Sequence, residues 1–218
     1  DESLSNALVE IDKLIEDDDG HLKIKNIEGL SKTSKKKARM EYFRFRNFLE
    51  RKGLRFSLDE MKVVDIPVAR TLIEKHFLML AELGKNVGST PEDHLNAFSE
   101  DLLVNPDTLS FMGKLQAKSV TVYIGEGVSS ETFALYTSFT LRDLDEYKVE
   151  LGLDSDEDIR GITAMSRFCY IELLFQLKKK GFKYINLGGS ELSDLNKSKR
   201  RFGATTVATY WALKKFSN

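Results

Sequence analysis

A short basic segment near the C terminus carries a clear chemical signal. Residues 197–201 read Lys-Ser-Lys-Arg-Arg, so four of these five side chains are cations. Ammonium and forked guanidinium groups are suited to binding phosphate. A short loop separates the segment from Gly188 and Gly189, which would allow a ligand to approach the backbone closely. We therefore predict that Lys199 and Arg200 bind a phosphate-bearing substrate, with a solvated turn as the alternative.

A second basic stretch spans residues 34–52, where helical spacing of Met40, Phe43, Phe48 and Leu49 predicts a helix with a buried stripe. Two interpretations stay open. The helix is either an ordinary solvated helix or a surface that binds a phosphate-bearing ligand or RNA. Its cations are Lys35, Lys36, Lys37, Arg39, Arg44, Arg46, Arg51 and Lys52, against Glu41 and Glu50.

Other residue types that often do chemistry are sparse. Cys169 is the single cysteine and lies inside an apolar stretch, so a buried core position is expected and a disulfide or thiol metal site is excluded. His21, His76 and His94 have no partner at metal-ligand spacing, and we expect surface or capping roles. The sequence therefore predicts no metal site.

Composition limits the class of protein. The 218 residues suffice for one compact domain, and a net charge of −1 excludes a globally basic nucleic-acid binder. Any attraction to anions must therefore come from local patches. No apolar run is long enough to cross a bilayer and no signal peptide is visible, so we predict a cytoplasmic location.

The elements that must position these groups centre on residues 159–177, where apolar residues are too dense for a one-sided stripe. This pattern predicts a helix buried on most sides. Lys178, Lys179, Lys180 and Gly181 would end it, with cations beside the negative helix end and a glycine able to adopt a left-handed conformation. The next apolar stretch, residues 182–187, predicts a short strand.

Apolar spacing and turn residues predict the other elements. Three sequential strands joined by short loops should form an antiparallel meander, and the whole pattern predicts an α+β fold with a mixed, mostly antiparallel sheet flanked by helices. The predicted helices cover residues 4–16, 34–52, 65–84 and 90–105. The predicted strands cover residues 54–58, 109–116, 119–125 and 132–141, with a hairpin loop at 125–130 and an acidic loop at 142–160.

The order of these features resembles the GNAT-fold acyltransferase lobe of the Fem peptidyltransferases and their relatives, including phosphatidylglycerol lysyltransferases. The resemblance covers residues 34–214. Lys199, Phe202 and Gly203 match a Phe-Lys-x-x-Phe-Gly segment of that family, while Ser198 replaces the first aromatic residue. We predict a GNAT-like domain at residues 34–218, with residues 1–33 as a helical extension or the remnant of a preceding lobe.

The resemblance implies an N-acyltransferase in which an amine attacks the carbonyl of an activated donor between two separating strands. No nucleophile–histidine–acid set is apparent, which favours direct transfer. The candidate proton acceptors are Tyr136, Glu131 and Glu172. The implied donor and substrate-binding residues are Thr137, Ser138, Phe139, Asn186, Gly188, Gly189, Ser190, Lys199 and Arg200.

The glycine-rich pyrophosphate loop of GNAT proteins has no counterpart in residues 142–161. The donor therefore stays open among acyl-CoA, aminoacyl-tRNA and a carrier-bound acyl group. The implied acceptor is a small-molecule or peptide amine, tRNA is an implied partner, and a substrate at a membrane surface is compatible with the resemblance. The rival interpretation is an inactive GNAT-fold module that binds a partner or RNA through its basic helix.

Overall fold

The computed structural model describes residues 5–18, 21–24, 32–82, 84, 108–188, 199 and 204–208, and it confirms the predicted α+β class. The strands are β1 (Ser5–Glu10), β2 (Ile15–Asp18), β3 (His21–Ile24), β4 (Phe56–Glu60), β5 (Thr108–Leu115), β6 (Lys118–Gly127), β7 (Thr132–Thr140), β8 (Tyr184–Asn186) and β9 (Thr205–Ala208). The helices are α1 (Ile11–Leu14), α2 (Lys32–Lys52), α3 (Ile66–Glu82), α4 (Leu144–Leu151), α5 (Asp156–Thr163) and α6 (Met165–Lys179), with a 3₁₀ turn at Val63–Asp65.

Seven of the described strands form one mixed sheet in the order β4-β5-β6-β7-β8-β1-β9. The predicted meander of β5, β6 and β7 is confirmed as antiparallel. The pair β7–β8 is parallel, and the other described pairs of this sheet are antiparallel. β2 and β3 pair separately as a hairpin.

Two apolar cores lie on the two faces of the sheet, because successive strand residues point to opposite faces. Phe111 of β5 packs in the core formed with α2, α5 and α6. Its neighbour Met112 packs in the second core, where Ile73 and Phe77 of α3 cover Phe139 of β7. β7 is thus covered by helices on both faces.

The predicted central helix is interrupted once. α5 ends and α6 begins at Ala164, whose N–H is shared between the carbonyls of Gly161 and Ile162. Gly161 packs so tightly against α2 that an added Cβ would lie 2.7 Å from Phe48 side-chain atoms. α6 is buried along most of its length, as predicted, and ends before Gly181, which has the expected positive φ of 92°.

Three predicted elements are wrong. Residues 4–16 were expected to be helical but contain β1 and β2 with one short helical turn between them, because the backbone of residues 5–10 pairs with two other strands. The expected loop at 142–160 contains α4 and α5, whose first turns are capped by the side chains of Asp143 and Ser155. The expected loop at 125–130 is shorter, since β6 continues to Gly127.

β1 belongs to the same mixed sheet as β4 to β9. The predicted domain boundary at residue 33 stays a prediction. The helix predicted at residues 90–105 lies outside the described residues. No helix in the described part of the chain has both the length and the apolar character needed to cross a membrane.

Candidate active site

The pairing of β7 with β8 ends early, and we call the place where the two strands separate the cleft. The two strands pair over three positions only, Thr132 with Tyr184, Phe133 with Ile185 and Ala134 with Asn186. β8 ends there, whereas β7 continues to Thr140. Residues 135–140 of β7 therefore have no strand partner on this side among the described residues. A sheet edge of this kind presents backbone donors and acceptors to a ligand.

The chain after β8 keeps bonding to β1, on the edge of β8 that faces away from β7. The Leu187 N–H donates to the carbonyl of Ala7 at 2.9 Å, and the Ala7 N–H donates to the carbonyl of Gly188 at 3.2 Å. Gly188 has a positive φ of 72°, and its N–H donates to Oδ1 of Asn186 at 2.8 Å. Asn186 and Gly188, both predicted site residues, thus form the turn that shapes one wall of the cleft.

Lys199 supports the same turn. Its Nζ donates to the carbonyl of Gly188 at 2.9 Å, and burial lowers the pKa of its ammonium group. This contact gives Lys199 a role in holding the glycine turn, while phosphate binding by this residue stays a prediction. The other predicted residues of this wall, Gly189, Ser190 and Arg200, lie outside the described part of the chain.

The opposite wall carries a β-bulge in β7. Thr137 pairs with Ile124 of β6 and Leu135 pairs with Gly125, so Tyr136 is the extra residue between them. A Cβ added at Gly125 would lie 2.0 Å from the carbonyl oxygen of Ala134, and therefore the close approach of the two strands requires glycine. A bulge interrupts the ladder and redirects side chains, and this one lies where the cleft begins.

Tyr136 is 54% exposed, and its hydroxyl donates a hydrogen bond to the carboxylate of Glu126 on β6. Burial and this hydrogen bond raise the pKa of Tyr136 to about 12. Glu126 was not among the predicted site residues, because it was assigned to a hairpin loop. Once β6 is extended through Gly127, strand pairing alone places Glu126 beside β7, opposite Ala134.

The other predicted residues of β7 face different surroundings. Ser138 is exposed, whereas Thr137 is buried. Phe139 is buried against α3, with its ring 5.6 Å from that of Phe77 and 4.9 Å from that of His76. We conclude that Ser138 can face a ligand, while the side chain of Phe139 holds β7 against its covering helix.

The three predicted proton acceptors form separate pairs. Glu131 precedes β7 and its carboxylate accepts from Lys183, at the end of the strand pair where β7 and β8 are joined. Glu172 lies on α6 and accepts from the hydroxyl of Tyr42 on α2 at 2.8 Å, with burial raising the pKa of its carboxyl group. Tyr136 lies at the bulge, and catalytic roles for Glu131 and Glu172 stay predictions.

Several cations of the basic helix α2 are held in ion pairs. Arg51 Nη2 lies 2.6 Å and Lys52 Nζ 2.8 Å from the carboxylate oxygens of buried Asp158 on α5. Hydrogen bonds from Lys52 and Arg51 hold the pKa of Asp158 well below its usual range. Arg46 pairs with Glu50 at 3.2 Å. The contacts of Arg51 and Lys52 with Asp158 join α2 to α5. Together with the pair inside α2, they weaken the case for α2 as an anion-binding surface.

A cavity of about 250 Å³ lies beyond the end of β7, where the missing pyrophosphate loop would be expected. It is lined by Arg142, Leu144, Tyr147, Ile162 and Thr163. The nearby N-termini of α4 and α5 are capped by Asp143 and Ser155 and carry acidic residues in their first turns, which disfavours a phosphate at either helix end. Arg142 supplies a cation to the cavity wall.

Comparison with solved structures identifies the fold. The chain is similar to a conserved protein of unknown function from Bacteroides thetaiotaomicron (15% identity, TM-score 0.61, 95% of this chain and 58% of that one). It is also similar to FemX (8% identity, TM-score 0.57, 94% and 59%). A third similar structure is the C-terminal domain of a putative lysylphosphatidylglycerol synthetase from Agrobacterium fabrum (14% identity, TM-score 0.50, 93% and 57%).

At these identities the likeness shows the fold, which is GNAT-like as the sequence resemblance implied. The chain spans 57–59% of the length of these three structures. Comparison of the sequence with protein-family models and with curated proteins gives no match.

Proposed function

We propose that this protein is an N-acyltransferase that moves an acyl or aminoacyl group from an activated donor to an amine by direct transfer. The observation that carries the proposal is the coincidence of two features at one place. β7 separates from β8 after Ala134, and the bulge at Tyr136 interrupts the other edge of β7 two residues later. Backbone donors of β7 and the half-exposed residue Tyr136 therefore lie at the place where β7 and β8 separate.

This geometry suits a carbonyl group that becomes an oxyanion. A backbone N–H on the open edge of β7 would donate to the donor carbonyl oxygen, and such a donor stabilises the tetrahedral state most when the site excludes water. The turn at Asn186 and Gly188 would form the opposite wall. The amine would approach between the walls, with Tyr136 beside it.

Direct transfer fits better than a covalent intermediate on the enzyme. Cys169 is fully buried under the sheet, and burial raises the pKa of its thiol, so a reactive thiolate is disfavoured. The described neighbourhood of the bulge offers Tyr136 and Glu126, which suit proton transfer rather than nucleophilic attack.

The donor would bind in part through phosphate. Arg142 lies two residues after the end of β7 and lines the cavity there. A donor lying along the open edge of β7 would bring a phosphate group to this side chain. Coenzyme A and the 3′ end of tRNA both carry phosphate groups. α4 and α5 occupy the place where GNAT proteins have a glycine-rich pyrophosphate loop. Because FemX and the lysylphosphatidylglycerol synthetase domain are among the similar structures, we retain aminoacyl-tRNA as well as acyl-CoA as a candidate donor.

The test combines binding and transfer. Acetyl-CoA, longer acyl-CoAs, lysyl-tRNA, alanyl-tRNA and uncharged tRNA are screened for an increase in melting temperature, since a ligand of the native state stabilises it by mass action. Stabilising donors are then incubated with lysine, a lysine-containing peptide and an amino sugar, and the products are analysed by mass spectrometry. Transfer of the acyl group to an amine is the expected result.

Arg142→Ala should weaken donor binding, and Arg160→Ala on the exposed side of α5 is the matched control. A protein that transfers no acyl group from any of these donors contradicts the proposal. Binding of tRNA without transfer, lost in Arg39→Ala or Arg44→Ala, would instead support the rival RNA-binding module.

A further inference from the structure

We infer that Glu126 takes up the proton released by the attacking amine, and that Tyr136 relays it. The inference rests on the proposed acyl transfer and assigns a role to a residue outside the predicted site. Its basis is the position of the two side chains at the point where β7 loses β8 as a partner.

Strand pairing places three residues in one row across the sheet. Glu126 of β6 lies opposite Ala134 of β7, and Ala134 lies opposite Asn186 of β8. This row is the last before the cleft. Tyr136 follows two residues later as the bulged residue, and its hydroxyl group reaches back to the carboxylate of Glu126.

The hydroxyl oxygen of Tyr136 has hydrogen-bonding capacity left after its contact with Glu126. Its O–H donates to Glu126, and the lone pairs of the phenolic oxygen are still able to accept a hydrogen bond. Tyr136 is 54% exposed and lies at the start of the unpaired edge of β7, and we infer that an amine bound there would contact this oxygen. Tyr136 would thus contact the substrate, whereas Glu126 acts through Tyr136.

The proton balance follows the group transfer. The amine nitrogen forms a bond to the donor carbonyl carbon, and the bond to the donor oxygen or sulfur breaks, with its electron pair leaving on that atom. One N–H proton moves to the oxygen of Tyr136 as the hydroxyl proton of Tyr136 moves to the carboxylate of Glu126. Glu126 then returns this proton to the leaving group or to water.

A tyrosine alone could not do this near neutral pH. The raised pKa of Tyr136, about 12, means that the phenolate is scarce, and the hydroxyl group must lose its own proton as it accepts another. A hydrogen-bonded carboxylate makes this exchange feasible. In the described part of the chain, Glu131 is paired with Lys183 and Glu172 with Tyr42, so Glu126 is the carboxylate that meets Tyr136.

The first measurement tests the pair without any substrate. The whole chain, labelled with ¹³C at the Cζ of tyrosine, is titrated by NMR, and Tyr136→Phe identifies the resonance. In Glu126→Gln the pKa of Tyr136 should fall from about 12 toward its ordinary value of 10.0. Glu60→Gln, an exposed carboxylate on edge strand β4, is the matched control and should leave it unchanged. An unchanged pKa in Glu126→Gln overturns the inference.

The second measurement uses the donor and amine that show transfer by the wild-type protein. Glu126→Gln and Tyr136→Phe should each lower kcat about 10²- to 10⁴-fold with little change in KM, the usual contribution of a positioned proton acceptor. The double variant should be no slower than the single variants, because the two residues act as a unit. Glu126→Asp should recover part of the rate.

The two proposals fail in different ways. Wild-type kcat in Glu126→Gln, with an active wild-type protein, overturns the proton relay and leaves acyl transfer standing. Absence of transfer by the wild-type protein from every donor tested overturns both.

Discussion

Ala7 and Gly188 are joined by a backbone hydrogen bond of 3.2 Å, with the N–H of Ala7 as donor. The carbonyl of Ala7 also accepts from Leu187. The first strand of the chain thus holds the segment after β8, which forms one wall of the cleft. A site formed by residues 126–199 depends on a strand at residues 5–10.

Ala7→Pro should reduce both stability and donor binding. Proline removes the N–H that bonds to the half-buried Gly188, and the loss of one backbone hydrogen bond costs about 0.5–1.5 kcal/mol. Urea unfolding and the donor-induced shift in melting temperature measure the two effects. Ala7→Ser keeps the N–H and is the control, and equal behaviour of the two variants would contradict the role of this bond.

Gly125→Ala should disturb the bulge. The new Cβ would lie 2.0 Å from the carbonyl oxygen of Ala134, so the strands must shift, at a cost of about 1–3 kcal/mol. Gly127→Ala on the same strand meets a Phe182 ring carbon at 3.3 Å, a side chain that can move, and should cost less. Transfer activity and urea midpoints compare the two. An active Gly125→Ala protein of normal stability would refute the requirement for glycine.

Lys199→Ala separates two roles of one residue. Loss of the hydrogen bond to Gly188 should lower the free energy of unfolding by about 1 kcal/mol. If Lys199 also binds phosphate, donor affinity should fall and the slope of affinity against salt concentration should decrease. Lys180→Ala, whose ammonium group pairs with Glu60, is the control. Unchanged donor affinity and salt slope would leave Lys199 with the structural role alone.

Stability should fall at acid pH through Asp158. Its pKa is depressed in the folded state by Lys52 and Arg51, so its contribution is complete above the ordinary value of 3.8 and is lost as pH falls toward the folded-state pKa. Asp158→Asn should therefore be less stable than wild type at pH 7, with a smaller difference at pH 3. Asp154→Asn, an exposed carboxylate 3.6 Å from Lys52, is the control. Urea unfolding midpoints of wild type and Asp158→Asn are measured at both pH values. A difference in stability between the two proteins that is the same at pH 7 and pH 3 would contradict the linkage.

Local sequence patterns were sufficient to predict many of the helices and strands of this protein. α2, α3 and the meander of β5, β6 and β7 agree with the predicted elements to within a few residues, because apolar spacing and end signals are local properties of the chain. The predicted central helix is divided between α5 and α6. The burial of Cys169 and the left-handed Gly181 followed from the same kind of evidence. The order of these elements was sufficient to indicate the GNAT-like fold.

The position of the cleft and the residues that meet there were determined only by the tertiary structure. Residues 5–10 are a strand because β8 and β9 supply backbone partners that lie more than 170 positions away in the sequence. Tyr136 and Glu126 meet because a one-residue shift in strand register leaves Tyr136 unpaired and turns it toward β6. Helical spacing and turn residues depend on neighbours along the chain. Strand register and backbone hydrogen-bond partners depend on distant segments, and this register and these partners set the geometry of the site.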